Sequence, residues 1–186
     1  ISFPYMGTTV VYKKIFELLG HKIIMPPKPT QKTITLGAKY SPEFACFPFK
    51  ALTGTYIEAL ELGANTIVTS GGCGPCRAGY YAEVHKKILK NMGYKCNFLI
   101  NDGFIADFKG FVKFIKTMKL DNSWLQLLKK VIIAYKLAHS VDKLYKIIQV
   151  KRAYEVEKGS FTKAWNKIYN QFDKEVVTRK DVKRIF

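Results

Sequence analysis

Two cysteines three positions apart are the residues of this chain best suited to chemistry. Cys73 and Cys76 lie in the segment TSGGCGPCRAGYY, residues 69–81, and Arg77 follows directly. The backbone N–H groups near the start of a helix favour negative charge, which thiolates, sulfides and phosphates share. Arg77 can donate to the same kinds of group. Three glycines in this loop permit positive φ angles and close approach of a ligand to the backbone, namely Gly71, Gly72 and Gly74. We therefore expect cofactor contacts from these glycines and Arg77, and metal ligation by the thiols.

The elements on either side place this loop at a functional edge. The run NTIVTS before it predicts a buried strand, and the run AGYYAEVHKKILKNMG after it predicts a helix. In an open parallel sheet, ligands bind where the chain leaves the carboxyl ends of the strands. The pair Cys73 and Cys76 is therefore predicted to lie in a strand-to-helix loop at the ligand-binding edge.

Four kinds of chemistry are open to the two thiols. A thioredoxin-type dithiol fits the C-x-x-C spacing, but the preceding double glycine does not suit that pattern. A zinc site would need further ligands such as Cys46 and a histidine, and purely structural cysteines are a third reading. An iron–sulfur cluster is the favoured interpretation, because such clusters need thiolates on loops whose amides point toward the sulfurs.

The other cysteines and one histidine bear on that choice. Cys46 lies in EFACFPFKALTG, after the second predicted strand, so it should reach the same edge as the loop. Three thiolates, Cys46, Cys73 and Cys76, would then hold a [4Fe-4S] cluster with one iron left open. Cys96 falls inside the fourth predicted strand and is expected to be a buried structural residue. His85, on the helix after the loop, is expected at the surface.

The alternation of apolar runs and helical patterns predicts an α/β fold. Strands are expected at ISFPYM, HKIIMPP, NTIVTS and KCNFLIND, and they form a four-stranded parallel Rossmann-like sheet with flanking helices over residues 1–103. The predicted helices are one that ends at Gly20, a short helix that starts at Ser41, a second helix over residues 49–62 after a break at Cys46 to Pro48, and the helix after the cysteine loop. Residues 104–186 have helical periodicity and are expected to form an α-helical cap, with Ser123 and Ser160 as helix N-caps and Gly159 as a stop.

The charge of the chain supports a different class of function. Its 31 Lys and Arg residues against 14 Asp and Glu give a net charge of +17, and such a field attracts polyanions. Only four of the cations are arginine, the residue best suited to phosphates and guanine edges. A basic binding module for nucleic acid or an acidic protein therefore stays as the alternative, although nucleic acid is not the expected partner. No apolar run is long enough for a membrane span, so a cytoplasmic protein is expected.

Three segments together resemble a known family. ISFPYMG, EFACFPFKALTG and GGCGPCRAGYY, in this order and near these separations, look like the N-terminal lobe of proteins related to the D-component of 2-hydroxyacyl-CoA dehydratase. Within that family, the closest likeness is to proteins described as CoA-substrate-specific enzyme activase-related. The resemblance covers about residues 1–105 well and the helical remainder weakly.

The resemblance implies an iron–sulfur protein of anaerobic metabolism. In such proteins the cluster takes one electron from an ATP-hydrolysing activator, and in the dehydratases the open iron binds a CoA thioester. Cys46, Cys73 and Cys76 match the cysteine motifs of the family. The family's second sheet lobe is missing from this chain, so an enzymatic role as a dehydratase or reductase component would need another lobe or subunit, in a homo- or hetero-oligomer. The chain has no Walker-type loop, which leaves ATP hydrolysis to the partner.

Overall fold

The chain is predominantly helical. The computed structural model describes residues 1–71, 76–176 and 178–185. Within these ranges it contains two β-strands, β1 (Thr66–Ser70) and β2 (Asn97–Asn101). It also contains eight α-helices: α1 (Thr9–Leu19), α2 (Gln31–Tyr40), α3 (Phe47–Glu61), α4 (Tyr81–Asn91), α5 (Phe108–Lys119), α6 (Trp124–Lys151), α7 (Ser160–Glu175) and α8 (Arg179–Ile185).

The predicted four-stranded Rossmann-like sheet is wrong. Strands β1 and β2 pair in parallel, with Thr66 opposite Asn97 and Ser70 opposite Asn101, and they form the whole sheet among the described residues. The first predicted strand contributes a single bridge, between Ser2 and Ile67. The second predicted strand, HKIIMPP, is irregular.

Prolines explain why the first two predicted strands do not extend. Ser2 exchanges two backbone hydrogen bonds of 2.8 Å with β1, but Pro4 then has no N–H to donate. The N–H of Ile24 donates to the carbonyl of Ile1 at 2.8 Å, and the consecutive prolines Pro26 and Pro27 remove the next two donors. Proline is confined to the ends and edges of sheets for this reason.

The region between residues 28 and 47 also differs from the prediction. Helix α2 forms where an irregular stretch was expected, and the Thr30 N–H donates to the Thr33 hydroxyl oxygen at 2.9 Å across its first turn. The helix predicted to begin at Ser41 is absent, since Ser41 is the C-cap of α2. The second helix of that segment was correctly predicted, because α3 begins at Phe47 with Pro48 in its first turn, where proline is tolerated.

The chain divides into two compact units. Unit 1 contains Ile1–Met6 and Lys22–Leu120, and unit 2 contains Gly7–His21 and Asp121–Phe186. The core of unit 1 is built mainly from α3, β1 and α4, around Tyr56, Ile67 and Leu89. The core of unit 2 joins α1 to the C-terminal helices through Val10, Leu137 and further apolar residues. Helix α1 therefore belongs with helices more than a hundred residues later.

The helical character predicted for the C-terminal region is present from α5 to α8. Ser123 caps α6 as expected: its Oγ accepts from the Gln126 N–H at 3.2 Å, and its own N–H donates to the Gln126 side chain at 2.8 Å. Gly159 is not a helix stop but the N-cap of α7, with φ of 89°, so Ser160 is the first residue of that helix and not its predicted N-cap. Among the described helices, none combines the length and the apolar character that crossing a membrane requires.

Candidate thiolate site

Cys46 lies at the N-terminus of α3. It is the N-cap residue of this 15-residue helix, and its side chain is exposed. Pro48 in the first turn has a φ angle preset for a helix, so the chain is fixed in helical geometry directly after the thiol. The Sγ atom of Cys46 and the hydroxyl of Tyr81, the first residue of α4, form a hydrogen bond.

Several contacts favour the thiolate form of Cys46. The hydrogen bond with Tyr81 is the largest cause of a lowered Cys46 pKa, followed by hydrogen bonding from the backbone N–H of Phe49. The positive charge of Arg77 acts in the same direction. Donors at a helix N-terminus and a nearby cation are the usual means by which proteins make a cysteine reactive or metal-binding. Cys46 therefore has the environment of a ligand or nucleophile.

Cys76 influences the same tyrosine through its charge. It is exposed and precedes a 3₁₀ turn, Arg77–Tyr80, that leads into α4. Tyr81 has its pKa raised to about 12, first by the hydrogen bond with Cys46 and then by desolvation and by the charges of Cys46 and Cys76. Tyr81 therefore keeps its proton and donates its hydrogen bond to the Cys46 sulfur.

Three of the predicted site residues lie outside the described part of the chain: Gly72, Cys73 and Gly74. Gly71, directly before them, is described, and its N–H donates to the carbonyl of Asn101 at 3.0 Å. A Cβ at position 71 would overlap the carboxylate of Asp102. A side chain at position 71 would therefore have to displace the Asp102 carboxylate, and Gly71 does not have the positive φ that the sequence suggested.

A buried histidine, His85, packs against the ring of Tyr81. His85 is 1% exposed, so the expectation of a surface residue is wrong. Its ring stacks on Phe49 at 4.1 Å between centroids, and Tyr81 packs edge-on against both rings. The Nε2 atom of His85 lies 3.2 Å from the Phe49 carbonyl oxygen, and burial lowers the His85 pKa to about 4. The imidazole is therefore neutral and donates to that carbonyl.

An apolar pocket of about 330 Å³ opens beside the Cys46 thiol. Several of its aromatic walls are unusually exposed, with Phe44 83% and Tyr80 75% accessible. Exposed apolar surface of this kind, gathered at one place, marks a binding site more often than chance would. The pocket is lined by Pro42, Phe44, Ala45, Cys46, Phe49, Arg77, Tyr80, Tyr81 and Val84.

The structure brings together two of the predicted site residues, Cys46 and Arg77, in one pocket with Tyr81, and Cys76 acts on Tyr81 through its charge. Cys96 is separate from them: it precedes β2, packs against the core of unit 1, and has its pKa raised by burial. Within residues 1–71, 76–176 and 178–185, no three His, Cys, Asp or Glu side chains are grouped to hold a metal ion. The third predicted ligand, Cys73, is not among those residues.

Sequence reasoning missed Tyr81 and assigned His85 to the surface, although these two residues organise the site. A signal was present, because the two residues are four positions apart and so share one face of a helix. The pairing of Tyr81 with Cys46, 35 residues earlier, depends on how α3 packs against α4 and has no local signature.

Comparisons of the chain with protein families, with curated proteins and with solved structures found no match in any of the three.

Proposed function

We propose that this protein is an iron–sulfur redox protein or subunit in which Cys46, Cys73 and Cys76 ligate a [4Fe-4S] cluster. The observation that carries the proposal is the exposed Cys46 thiol, which is hydrogen-bonded to Tyr81 and has a lowered pKa, together with the exposed Cys76 thiol, whose charge acts on the same tyrosine. Cys73, three positions before Cys76 in the glycine-rich loop, is the third proposed ligand.

Cysteine thiols are suitable ligands for an iron–sulfur cluster. Iron–sulfur clusters are held by cysteine thiolates, and hydrogen bonds to the sulfurs adjust their reduction potentials. Cys46 provides a thiol already biased toward the thiolate by the Tyr81 hydrogen bond, by the Phe49 N–H at the helix N-terminus and by Arg77. Exposed thiols at the start of two elements, α3 and the 3₁₀ turn, leave the sulfur atoms accessible to a bound cluster.

The residues around the thiols have separable roles in this proposal. A bound cluster supplies one-electron chemistry at low potential. Tyr81 donates a hydrogen bond to the Cys46 sulfur, and Arg77 places a positive charge near the thiolates. The aromatic walls formed by Phe44 and Tyr80 exclude water from one side of the site. Lower polarity around a cluster shifts its potential and slows its loss to solvent.

The place of this protein in metabolism is proposed from the sequence resemblance. The motifs around Cys46 and Cys76 are similar to those of 2-hydroxyacyl-CoA dehydratase components, whose electrons come from an ATP-hydrolysing activator. We propose the same kind of electron donor here, and the apolar pocket beside Cys46 is the proposed place for a small-molecule substrate such as a thioester. A second lobe or subunit would complete the enzyme.

Serine variants of the four cysteines test the ligand assignment. Each variant is purified without oxygen, reconstituted with iron and sulfide, and measured for bound iron and for its visible absorption. Cys46→Ser, Cys73→Ser and Cys76→Ser should each lose most of the cluster, because serine is a poor ligand for iron in such centres. Cys96→Ser is the matched control and should keep the wild-type cluster content, since Cys96 packs against the core.

Two results would reject the ligand assignment. Full cluster content in Cys46→Ser would remove the residue on which the proposal depends. Loss of the cluster in Cys96→Ser, in a protein with unchanged circular dichroism, would place a ligand in the wrong part of the chain.

A further inference from the structure

A second site is formed by the basic groove of unit 2, between helices α6 and α8. It is an open groove of about 540 Å³, a size in the usual range for small-molecule sites. Ile132 and Ile133 of α6 form its apolar floor, and Thr178 is at one end. Its cationic walls are Lys129 on α6 and the pair Arg179 and Lys180 on α8. None of these residues belongs to the thiolate site.

The α6 wall is set by helical spacing. Lys129, Ile132, Ile133 and Lys136 are at positions i, i+3, i+4 and i+7, so they share one face of the helix. The two lysines are two turns apart, about 10 Å along the axis. Between them the isoleucines provide the apolar strip, and Ile133 also packs against the unit 2 core. The face is therefore rigid, with a cation at each end.

Charges of one sign are crowded across this groove. Lys136 is half-buried, and this desolvation together with the positive charges of Arg179 and Lys183 lowers its pKa. The nearest acid on α8, Asp181, already accepts hydrogen bonds from the Thr178 N–H at 2.6 Å and the Thr178 hydroxyl at 2.8 Å. Among the described residues, no ion pair within 4 Å neutralises Lys129, Lys136, Arg179, Lys180 or Lys183.

Repulsion between unpaired cations destabilises a folded protein unless an anion relieves it. Five such cations from two helices, around one groove of small-molecule size, match a compact ligand that carries several negative charges. Phosphates satisfy lysine and arginine donors together. The isoleucines suit the apolar part of such a ligand, and among the described residues that line the groove no aromatic side chain offers a stacking surface for a series of nucleic-acid bases.

We propose that the groove between α6 and α8 binds a compact polyphosphate, with its phosphates on Lys129, Arg179 and Lys180. Inorganic polyphosphate and the phosphate chain of a nucleotide share this chemistry. The proposal does not depend on the cluster at Cys46, and it assigns binding alone, with no hydrolysis.

The test is calorimetric titration of the full chain with inorganic tripolyphosphate and, separately, with ATP, both without magnesium. We expect binding at 50 mM salt that weakens markedly at 200 mM salt, because the contacts are ionic. The variant Lys129→Gln/Arg179→Gln/Lys180→Gln should lose affinity by at least about tenfold, through the loss of three charged donors. Tighter binding of ATP than of tripolyphosphate would assign the nucleotide as the preferred source, and equal affinities would assign inorganic polyphosphate.

The control variant, Lys151→Gln/Lys158→Gln/Lys163→Gln, removes the same charge from exposed positions of the same unit. Lys151 is 22 residues after Lys129, about 33 Å along α6. Binding in this control should stay within about twofold of wild type. The proposal is overturned if neither ligand binds at millimolar concentration, or if both triple variants weaken binding equally. It is also overturned if a 20-nucleotide single strand binds tightly and depends equally on both lysine sets, because the whole basic surface would then be the site.

Discussion

At the scale of single residues, the Tyr81 hydroxyl is the centre of the thiolate site. It forms a hydrogen bond with Cys46, and the Tyr81 ring packs edge-on against His85 and Phe49. The Cys46 pKa is lowered while the Tyr81 pKa is raised to about 12, so the proton of the pair stays on oxygen. A single substitution that removes this hydroxyl should therefore change the reactivity of Cys46.

The first prediction concerns Tyr81→Phe in the metal-free protein. Without the donated hydrogen bond the Cys46 pKa rises, so less thiolate is present at pH 6.5. The remaining thiolate is more nucleophilic, which offsets part of the loss, and we expect alkylation of Cys46 by iodoacetamide to slow roughly two- to fivefold. Mass spectrometry of the peptide that contains Cys46 gives the rate.

Tyr80→Phe is the matched control for this measurement. Tyr80 is adjacent in sequence, lines the same pocket and is 75% exposed. In the Tyr80→Phe variant, Cys46 should be alkylated at the wild-type rate. Equal rates in wild type and Tyr81→Phe would show that the hydrogen bond does not hold Cys46 as described.

The second prediction concerns pH and His85. The His85 pKa is about 4 in the folded protein, against an ordinary value of 6.5. Below pH 6.5 the imidazole therefore binds a proton more readily in the unfolded chain than in the folded protein. The contribution to stability is complete above about pH 6.5 and is lost as the pH falls toward 4. It amounts to on the order of 2–3 kcal/mol. Urea unfolding at pH 7.5, 5.5 and 4.5 measures it.

His85→Gln should reduce that pH dependence, since glutamine does not titrate and retains an N–H donor for the Phe49 carbonyl. The exposed His139 provides the control, and His139→Gln should unfold with the wild-type dependence on pH. An identical loss of stability from pH 7.5 to 4.5 in wild type and His85→Gln would contradict this account.

At the scale of elements, helices α2 and α3 make the closest contact in unit 1. A Cβ at Gly37 would overlap the backbone carbonyl of Lys50, and a Cβ at Gly54 would overlap the backbone carbonyl of Thr33. The Thr33 hydroxyl also donates to the buried Glu58 carboxylate at 2.7 Å. Glycine is thus required at both positions for helix contact, and this contact orients the helix that begins at Cys46.

The third prediction follows from those glycines. Helix propensity alone predicts that Gly54→Ala stabilises α3 by about 0.5–1 kcal/mol. The overlap with a backbone carbonyl, which cannot rotate away, should reverse the sign and destabilise the protein by about 1–3 kcal/mol. Thermal or urea unfolding decides between the two signs. Thr35→Ala, at an exposed position of α2, is the control and should change stability by less than about 0.5 kcal/mol.

The elements also show where sequence patterns suffice. The run NTIVTS predicts β1 correctly, since its apolar residues need burial and nothing in it prevents pairing. The run HKIIMPP has similar apolar content but ends in two prolines, and ISFPYM contains one, so neither can supply the donors of a strand. Helix α2 was missed because Thr33, Thr35 and Gly37 have low helix propensity, and tertiary contact with α3 overrides it.

At the scale of the whole molecule, each compact unit is built from two separate segments of the chain. Helix α1 is close to the N-terminus, yet it packs on α6 and α7 within unit 2. Thr9 and Tyr169 hydroxyls lie 2.7 Å apart, and Lys13 pairs with Asp173 at 2.7 Å. Sequence patterns predicted a helix at these positions but not its partners, because contacts over 160 residues have no local signal. The sequence predicts a boundary at residue 103 because alternating strand and helix patterns give way there to helical periodicity alone.

The fourth prediction uses this interleaving. A chain cut after residue 103 keeps α1 but loses α6, α7 and α8, so Val10 and the face around it lose their buried contacts. We expect this fragment to aggregate, because exposed apolar surface of a helix promotes association. Val10→Asp within the fragment should restore solubility in part. A soluble, monomeric 1–103 fragment on size-exclusion chromatography would contradict the assignment of α1 to unit 2.

The measurement that tests the central claim most directly is the metal and sulfide content of the protein purified without oxygen. The proposed cluster predicts a brown protein with iron and acid-labile sulfide in about equal amounts, near four of each per chain. It also predicts that Cys46→Ser, purified in the same way, loses both. A colourless preparation with one zinc ion per chain and no sulfide would contradict the account and assign the thiols of Cys46 and Cys76 to a structural site.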